Sequence, residues 1–243
     1  MKKILIKLFI LSLLIILSII SVITFSGYSM YKSAIKEEEI SKKIGDLIND
    51  EDYTTLENIA DIYKDAIIAT EDHRFYNHHG IDFLAVGRAI FRNVKNNDLI
   101  EGGSTITQQL AKNLYFTQNK EITRKVAEAF MARKLEKLFD KNKILELYIN
   151  KSYYGDGYYN IKSASKGYFN KLPSELNRYE ATLLAGLPNA PSVYSPTVNF
   201  ELASQRHKQV LTYMVKYGYI NERDKEEILS QTEEYRLYFK NKK

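Results

Sequence analysis

The stretch Leu56–Gly80, LENIADIYKDAIIATEDHRFYNHHG, holds the pattern that decides the fold. Its apolar residues Leu56, Ile59, Ala60, Tyr63 and Ile67 return at intervals of three and four, the period of a helix with one buried face. The run Ala66–Thr70 then gives way to titratable groups: Glu71, Asp72, His73, Arg74, His78 and His79, closed by Gly80. A carboxylate that leaves an apolar helix for a cleft can be tuned into a general base. The same residues would equally make a polar surface turn. His73, His78 and His79 match no metal-ligand spacing.

The helical period recurs outward from this stretch. It returns in Ile122, Val126, Ala129 and Phe130, in Ile144, Leu145 and Tyr148, and in Leu202, Arg206, Val210 and Met214. Pro188 and Pro191 stop one segment and Gly218 another, and Asn221 reads as the N-cap of a last helix over Glu222–Leu229. Period-two runs are scarce, so the expected fold is mainly α without repeats. Across 243 residues, 44% hydrophobic and 27% charged residues exclude a solvated polyelectrolyte. The absence of Cys removes disulfides, thiolate metal sites and Cys nucleophiles together. The net charge is +5, and three of its cations, Lys2, Lys3 and Lys7, lie at the start. The basic balance is therefore no nucleic-acid signature.

Behind those lysines, Leu8–Phe25 reads LFILSLLIILSIISVITF. With Ile4–Ile6 it spans roughly 30 Å at 1.5 Å per residue, one hydrocarbon core. The flanking lysines favour a cytoplasmic N-terminus, with the chain from about residue 30 onward outside the cell membrane. The competing reading is a cleaved signal peptide. Against it, Ser21–Tyr31 offers no A-x-A-like site and the apolar run exceeds a usual h-region. Residues 32–52 are charged and interrupted by Gly45, as expected of a solvated stalk. The expected division is a cytoplasmic tip and single transmembrane anchor over 1–28, a stalk over 29–55, a catalytic domain over 56–231 and a basic tail over 232–243.

Two further clusters could carry chemistry. In Glu101–Leu110, EGGSTITQQL, Gly102 and Gly103 free the backbone for close approach, and Ser104 can cap the next helix, whose N-terminus attracts anions. Ser104, Gln108 and Lys112 share one face of that helix. Arg124 and Glu128 lie one helical turn apart, with Lys125 beside them. Read plainly, this is an exposed ion pair worth ~0.3–0.5 kcal/mol. Read as a cleft, a carboxylate ringed by cations handles a phosphorylated ligand, directly or through a divalent ion.

In this order the clusters resemble the motifs of the peptidoglycan glycosyltransferases, the family that also forms the first catalytic domain of bifunctional penicillin-binding proteins. The matching residues are ED-x-x-F-x-x-H-x-G at Glu71, Asp72, Phe75, His78 and Gly80, and GGSTITQQ at Gly102–Gln109, continuing to Lys112 and Asn113. R-K-x-x-E follows at Arg124, Lys125 and Glu128, then K-x-x-ILE-x-Y-x-N from Lys141 to Asn150, then EATLLAGLPNAP over Glu180–Pro191, and Arg206 with Val210 and Leu211. The likeness covers about residues 56 to 220. Asn160 and Asn170 stand where the family pattern has Gly.

The resemblance implies a lysozyme-like, mainly α domain of two lobes, a head and a membrane-touching jaw, and polymerisation of lipid II. A glycan strand on a polyprenyl pyrophosphate would donate, and the GlcNAc 4-hydroxyl of lipid II would attack with inversion. By resemblance, Glu71 and Glu128 are the catalytic carboxylates, Glu71 as general base and Glu128 at the diphosphate site with Mg²⁺ or Mn²⁺. Ser104, Gln108, Gln109, Lys112, Arg124 and Lys125 would hold the donor. Asp72, His78, Gly102, Gly103, Thr105, Glu146 and Asn150 would support them. The jaw would include Ile81–Val94, with Phe83, Leu84, Val86, Ala89, Ile90 and Phe91 as its apolar set. Implied partners are lipid II, the growing strand, the membrane and penicillin-binding transpeptidases, and moenomycin-type donor mimics would inhibit. The chain after Arg206–Gly218 is too short for a transpeptidase domain, so a monofunctional enzyme is expected. The rivals are a lytic enzyme on the same scaffold and a catalytically silent anchored scaffold.

Overall fold

The computed structural model describes residues 2–96, 103–116 and 122–242, and for 90–96 the backbone alone. Among these residues the secondary structure is helical, apart from an isolated bridge between His79 and Ile81. The chain opens with the long helix α1 (Lys2–Glu37) and the short α2 (Ile40–Ile48), followed by α3 (Asp61–Glu71) and α4 (Phe83–Asn96). Helices α5 (Ile106–Tyr115), α6 (Ile122–Leu138) and α7 (Lys141–Lys151) come next, then α8 (Ile161–Phe169) and α9 (Arg178–Gly186). The chain ends in α10 (Pro191–Tyr194), α11 (Phe200–Lys216), α12 (Glu222–Ser230) and α13 (Thr232–Asn241).

The periodic apolar residues form the core. Helix α3 packs against α9 and α11, and α5 packs against α6 and α7. Tyr63, Ile67, Ile106, Leu110, Met131, Leu145, Tyr148 and Val210 are all fully buried between them. Each such side chain removed from water contributes roughly 1.5–3 kcal/mol. The helix ends are specified locally. Asn177 and Asn221 close capping boxes with Glu180 and Asp224, so α12 begins where the N-cap signal put it.

Helix α1 is apolar and exposed over most of its length, and among the described residues it alone is long and apolar enough to cross a membrane. Its single buried residue is Gly27. Past that point the structure corrects the expected division of the chain. Residues 29–55 are not a solvated stalk: α1 continues to Glu37, and Ile40 and Ile44 of α2 are buried in the core. Their four-residue spacing is an apolar stripe hidden among charges. The segment after α2 is bolted to α7. Glu146 accepts hydrogen bonds from Tyr53 Oη and Leu56 N, and Asn150 exchanges two with the backbone of Thr54, both at 2.8 Å. Within the expected basic tail, 232–243, Thr232–Asn241 is likewise a packed helix. Tyr235 stacks on Tyr179 at 4.2 Å and Phe239 is buried.

Asn160 and Asn170, the two departures from glycine, each occupy a conformation that suits asparagine. Asn160 is an extended N-cap whose side chain accepts from Ser163 N at 2.7 Å. Asn170 ends α8 in the left-handed region, φ 56° and ψ 37°, which Asn tolerates better than most L-residues.

Candidate active site

The cleft is built around the end of α3. Tyr63, Ile67 and Ile68 pack inward and fix that helix, which leaves its last residue, Glu71, at the cleft wall. Gln109 Nε2 donates to Glu71 Oε2 at 2.8 Å, and Arg206 Nη2 donates to Glu71 Oε1 at 3.1 Å. Tyr148 Oη donates to Gln109 Oε1 at 3.1 Å, which sets the amide so that its NH₂ faces Glu71. Both carboxylate oxygens thus accept, the arrangement of an ionised group.

Asp72 also borders the cleft, and its carboxylate holds the scaffold together. Its Oδ2 accepts from Ile106 N at 3.0 Å, at the start of α5, and lies 2.8 Å from His78 Nε2. Thr105 completes the joint by donating to Gly80 O at 2.7 Å. Gly80 has φ 80°, and a Cβ there would come within 3.0 Å of the backbone of Ala132 and Arg133. Only glycine meets both demands. Ser104 does not cap α5, contrary to expectation. Thr105 does, in a capping box with Gln108, and Ser104 is left to face the cleft.

The opposite wall comes from α5 and α6. Lys125 Nζ donates to Ser104 Oγ at 3.0 Å and to Glu128 Oε2 at 2.7 Å, while Arg124 pairs with Glu128 Oε1. Glu128 is fully buried, so its two cations are what makes its charge tolerable there. Lys112 also lines the cleft, and it makes no hydrogen bond or ion pair among the described residues. Burial, and then the nearby charge of Lys125, holds its ammonium pKa below the usual lysine value. The cleft encloses about 340 Å³ and is also lined by Arg88, Arg206 and Lys216. It can therefore neutralise an anion beside a carboxylate base.

Other expected residues lie elsewhere. Gln108 is buried in the capping box, so the side chain expected on the donor is already committed to the backbone of Thr105. Glu146 and Asn150 hold the 53–56 segment away from the cleft. Gly103 lines the cleft, whereas Gly102 lies outside the described residues. Of the apolar jaw set, Phe83 and Leu84 are exposed and Ala89 is buried, and the side chains of Ile90 and Phe91 lie outside the described residues. The residues around Glu128 do not fit the expected Mg²⁺ or Mn²⁺. Both carboxylate oxygens are taken by cations, and no group of three potential His, Asp or Glu ligands occurs among the described residues.

Sequence reading missed the role of Arg206 as the partner of Glu71. The signal was present: a lone arginine in the otherwise apolar ladder Leu202, Val210, Met214 must find a buried counter-charge. His73, stacked on Tyr217 at 4.1 Å, and the cations Arg88 and Lys216 also line the cleft. His73 belonged to the titratable cluster after α3, whereas Arg88 and Lys216 carried no pattern of their own.

Fold and cleft together define a helical domain that sets a carboxylate, Glu71, among cations at the wall of one cleft, an arrangement able to receive an anion. Residues 37–215 match the family model described as Transglycosylase, and the chain belongs to that family. It is 43% identical to penicillin-binding protein 1A of Neisseria flavescens over 190 residues, covering 78% of this chain and 24% of that protein. It is 44% identical to penicillin-binding protein 1A of Aquifex aeolicus over 179 residues, 74% of this chain and 25% of that protein. With penicillin-binding protein 1F of Bacillus subtilis the identity is 45% over 161 residues, 66% of this chain and 22% of that protein. The chain thus spans about a quarter of the length of these curated relatives.

Proposed function

We propose that this protein is a peptidoglycan glycosyltransferase that polymerises lipid II into glycan strands during bacterial cell-wall synthesis. The observation that carries the reading is Glu71, held as a carboxylate by Gln109 and Arg206 across from Lys112, which has no partner among the described residues, and the Lys125–Glu128–Arg124 cluster. Glu71 takes the proton of the acceptor GlcNAc 4-hydroxyl. The freed oxygen attacks C1 of the donor MurNAc, and the C1–O bond to the diphosphate breaks with its electron pair on the leaving oxygen. Lys112 and Lys125 neutralise that charge, so no proton donor is required. Attack opposite the leaving group inverts the anomeric centre and gives the β-1,4 bond. Gln109 and Arg206 orient the base, and Ser104 fixes the Lys125 ammonium.

A lytic enzyme on the same scaffold would need a protonated carboxyl to release a sugar oxygen. Glu71 accepts at both oxygens instead, which favours the transferase. The apolar helix α1 would keep the enzyme in the membrane that holds its lipid substrate, N-terminus in the cytoplasm and cleft outside, where penicillin-binding transpeptidases would cross-link the product. The experiment incubates purified protein with labelled lipid II and, separately, with preformed glycan. Polymer from the first and no fragments from the second is the expected outcome. Fragmentation of glycan without polymer would give the lytic reading instead.

A further inference from the structure

Gly27 is the point at which the apolar helix meets the catalytic domain. A Cβ at this position would lie 2.6 Å from Cβ and Cγ1 of Val126 and 2.8 Å from Thr123 O, so the two helix backbones are in direct contact there. The next residue, Tyr28, packs edge-on against Phe130 at 5.2 Å, and Tyr31, one turn on, packs against the same ring at 6.0 Å. The helix that receives them is α6, the one that carries Arg124, Lys125 and Glu128. At about 100° per residue, Thr123, Val126 and Phe130 fall on one side of α6, and Arg124, Lys125 and Glu128 fall on the other.

From this arrangement we propose that α1 is more than a tether. Seated through Gly27, Tyr28 and Tyr31, it braces α6 from behind and so positions the cationic cluster that faces the donor diphosphate. Gly27 is then a positioning residue. It acts through α6 and touches no substrate. The physical reason is rigidity. Arg124 and Lys125 pair with Glu128 within α6 and move with it, so a shift of α6 by even an ångström would stretch the Lys125–Ser104 hydrogen bond and displace the ammonium that meets the substrate. Close helix approach through glycine is a strong device for such a joint, because no side chain intervenes to give way. The inference rests on the proposed function, and its test separates the two.

The test uses the full chain in detergent micelles, where confinement to one membrane plane no longer contributes. Gly27→Leu wedges the joint open. Phe25→Leu changes an exposed residue two positions away and serves as the control. Each protein is assayed for polymerisation of labelled lipid II and for binding of a short-chain polyprenyl diphosphate. Gly27→Leu should bind the diphosphate at least tenfold more weakly and lose at least tenfold in kcat/KM, with helical content retained, while Phe25→Leu stays within twofold of the parent. If Gly27→Leu does not fold, the pair Tyr28→Leu and Tyr31→Leu, which keeps apolar bulk but removes the ring contacts, should show the same loss at severalfold. Diphosphate binding within twofold of the parent in whichever variant folds overturns the proposal. A parent chain that makes no polymer overturns the functional reading instead, and the diphosphate arm still decides whether α1 braces α6.

Discussion

Lys112 brings a half-buried ammonium into the cleft with no partner among the described residues, and in the proposed function its charge is the one left for the donor. Its replacement by Met should weaken donor binding by the worth of a charged hydrogen bond, about 1.5–3 kcal/mol, or roughly ten- to hundredfold. The acceptor should be affected far less, so separate titrations of donor and acceptor distinguish this from general damage. Because its pKa is lowered, Lys112 also loses its proton at a lower pH than an ordinary lysine. An alkaline fall in kcat/KM, which reports the free enzyme, should therefore occur below the usual lysine range and move upward in Lys112→Arg. His207 offers a prediction about stability. Burial lowers its pKa to about 3, and it faces Thr182 Oγ1 at 2.7 Å. The unfolded chain takes up this proton near pH 6.5 and the folded protein does not, so stability is full above that pH and falls as the pH drops toward 3. Between pH 7 and pH 5 the loss from this group should be about 2 kcal/mol. Urea titrations of the parent and His207→Asn at both pH values test it, since the variant should lack that increment. At this scale the sequence displayed Glu71, Lys112 and the Arg124–Glu128 pair through their spacing. It could not display which carboxylate oxygen meets which cation, because Arg206 lies 135 residues from Glu71 along the chain and only the packing of α3 against α11 brings them together.

Elements were legible where one signal dominated. The later period-3.6 segments became α6, α7 and α11, the first formed α3 only from Asp61 onward, with Leu56–Asn58 in a separate short turn, and Asn221 capped α12 as read. The failures occurred where composition masked pattern. Charges surrounding Ile40 and Ile44 hid the buried stripe of α2, and the lysines after Phe239 hid a helix whose Tyr235 and Phe239 complete an aromatic cluster with Phe169 and Tyr179. Asn160 and Asn170 show the converse, in which a departure from a familiar pattern leaves the element intact. The left-handed C-cap of α8 makes a definite claim. Asn170→Ala should cost about 1 kcal/mol by forcing an alanine into that region, whereas Asn170→Gly should be neutral or slightly stabilising. Equal losses from both substitutions, measured by thermal unfolding, would mean that side-chain contacts of Asn170 matter and its backbone conformation does not.

For the molecule as a whole, the account joins a membrane-type helix, a helical domain and a cleft in which one carboxylate is held open among cations. The apolar helix and the domain were readable separately; their joint at Gly27 was not, because a glycine inside a long apolar run carries no signal until its neighbour is known. The central claim is that Glu71 is the base of a polymerising glycosyl transfer. Glu71→Gln keeps the shape of the side chain and can still accept from Arg206 through its one oxygen, its NH₂ meeting Gln109 once that amide turns over, yet it cannot take up the acceptor proton. The direct measurement is the initial rate of polymer formation from labelled lipid II by the parent and by Glu71→Gln, alongside the affinity of each for a polyprenyl diphosphate. The account predicts a fall in rate of about 10²–10⁴-fold with diphosphate affinity within a few-fold of the parent. Polymer formed by Glu71→Gln at close to the parental rate would contradict it.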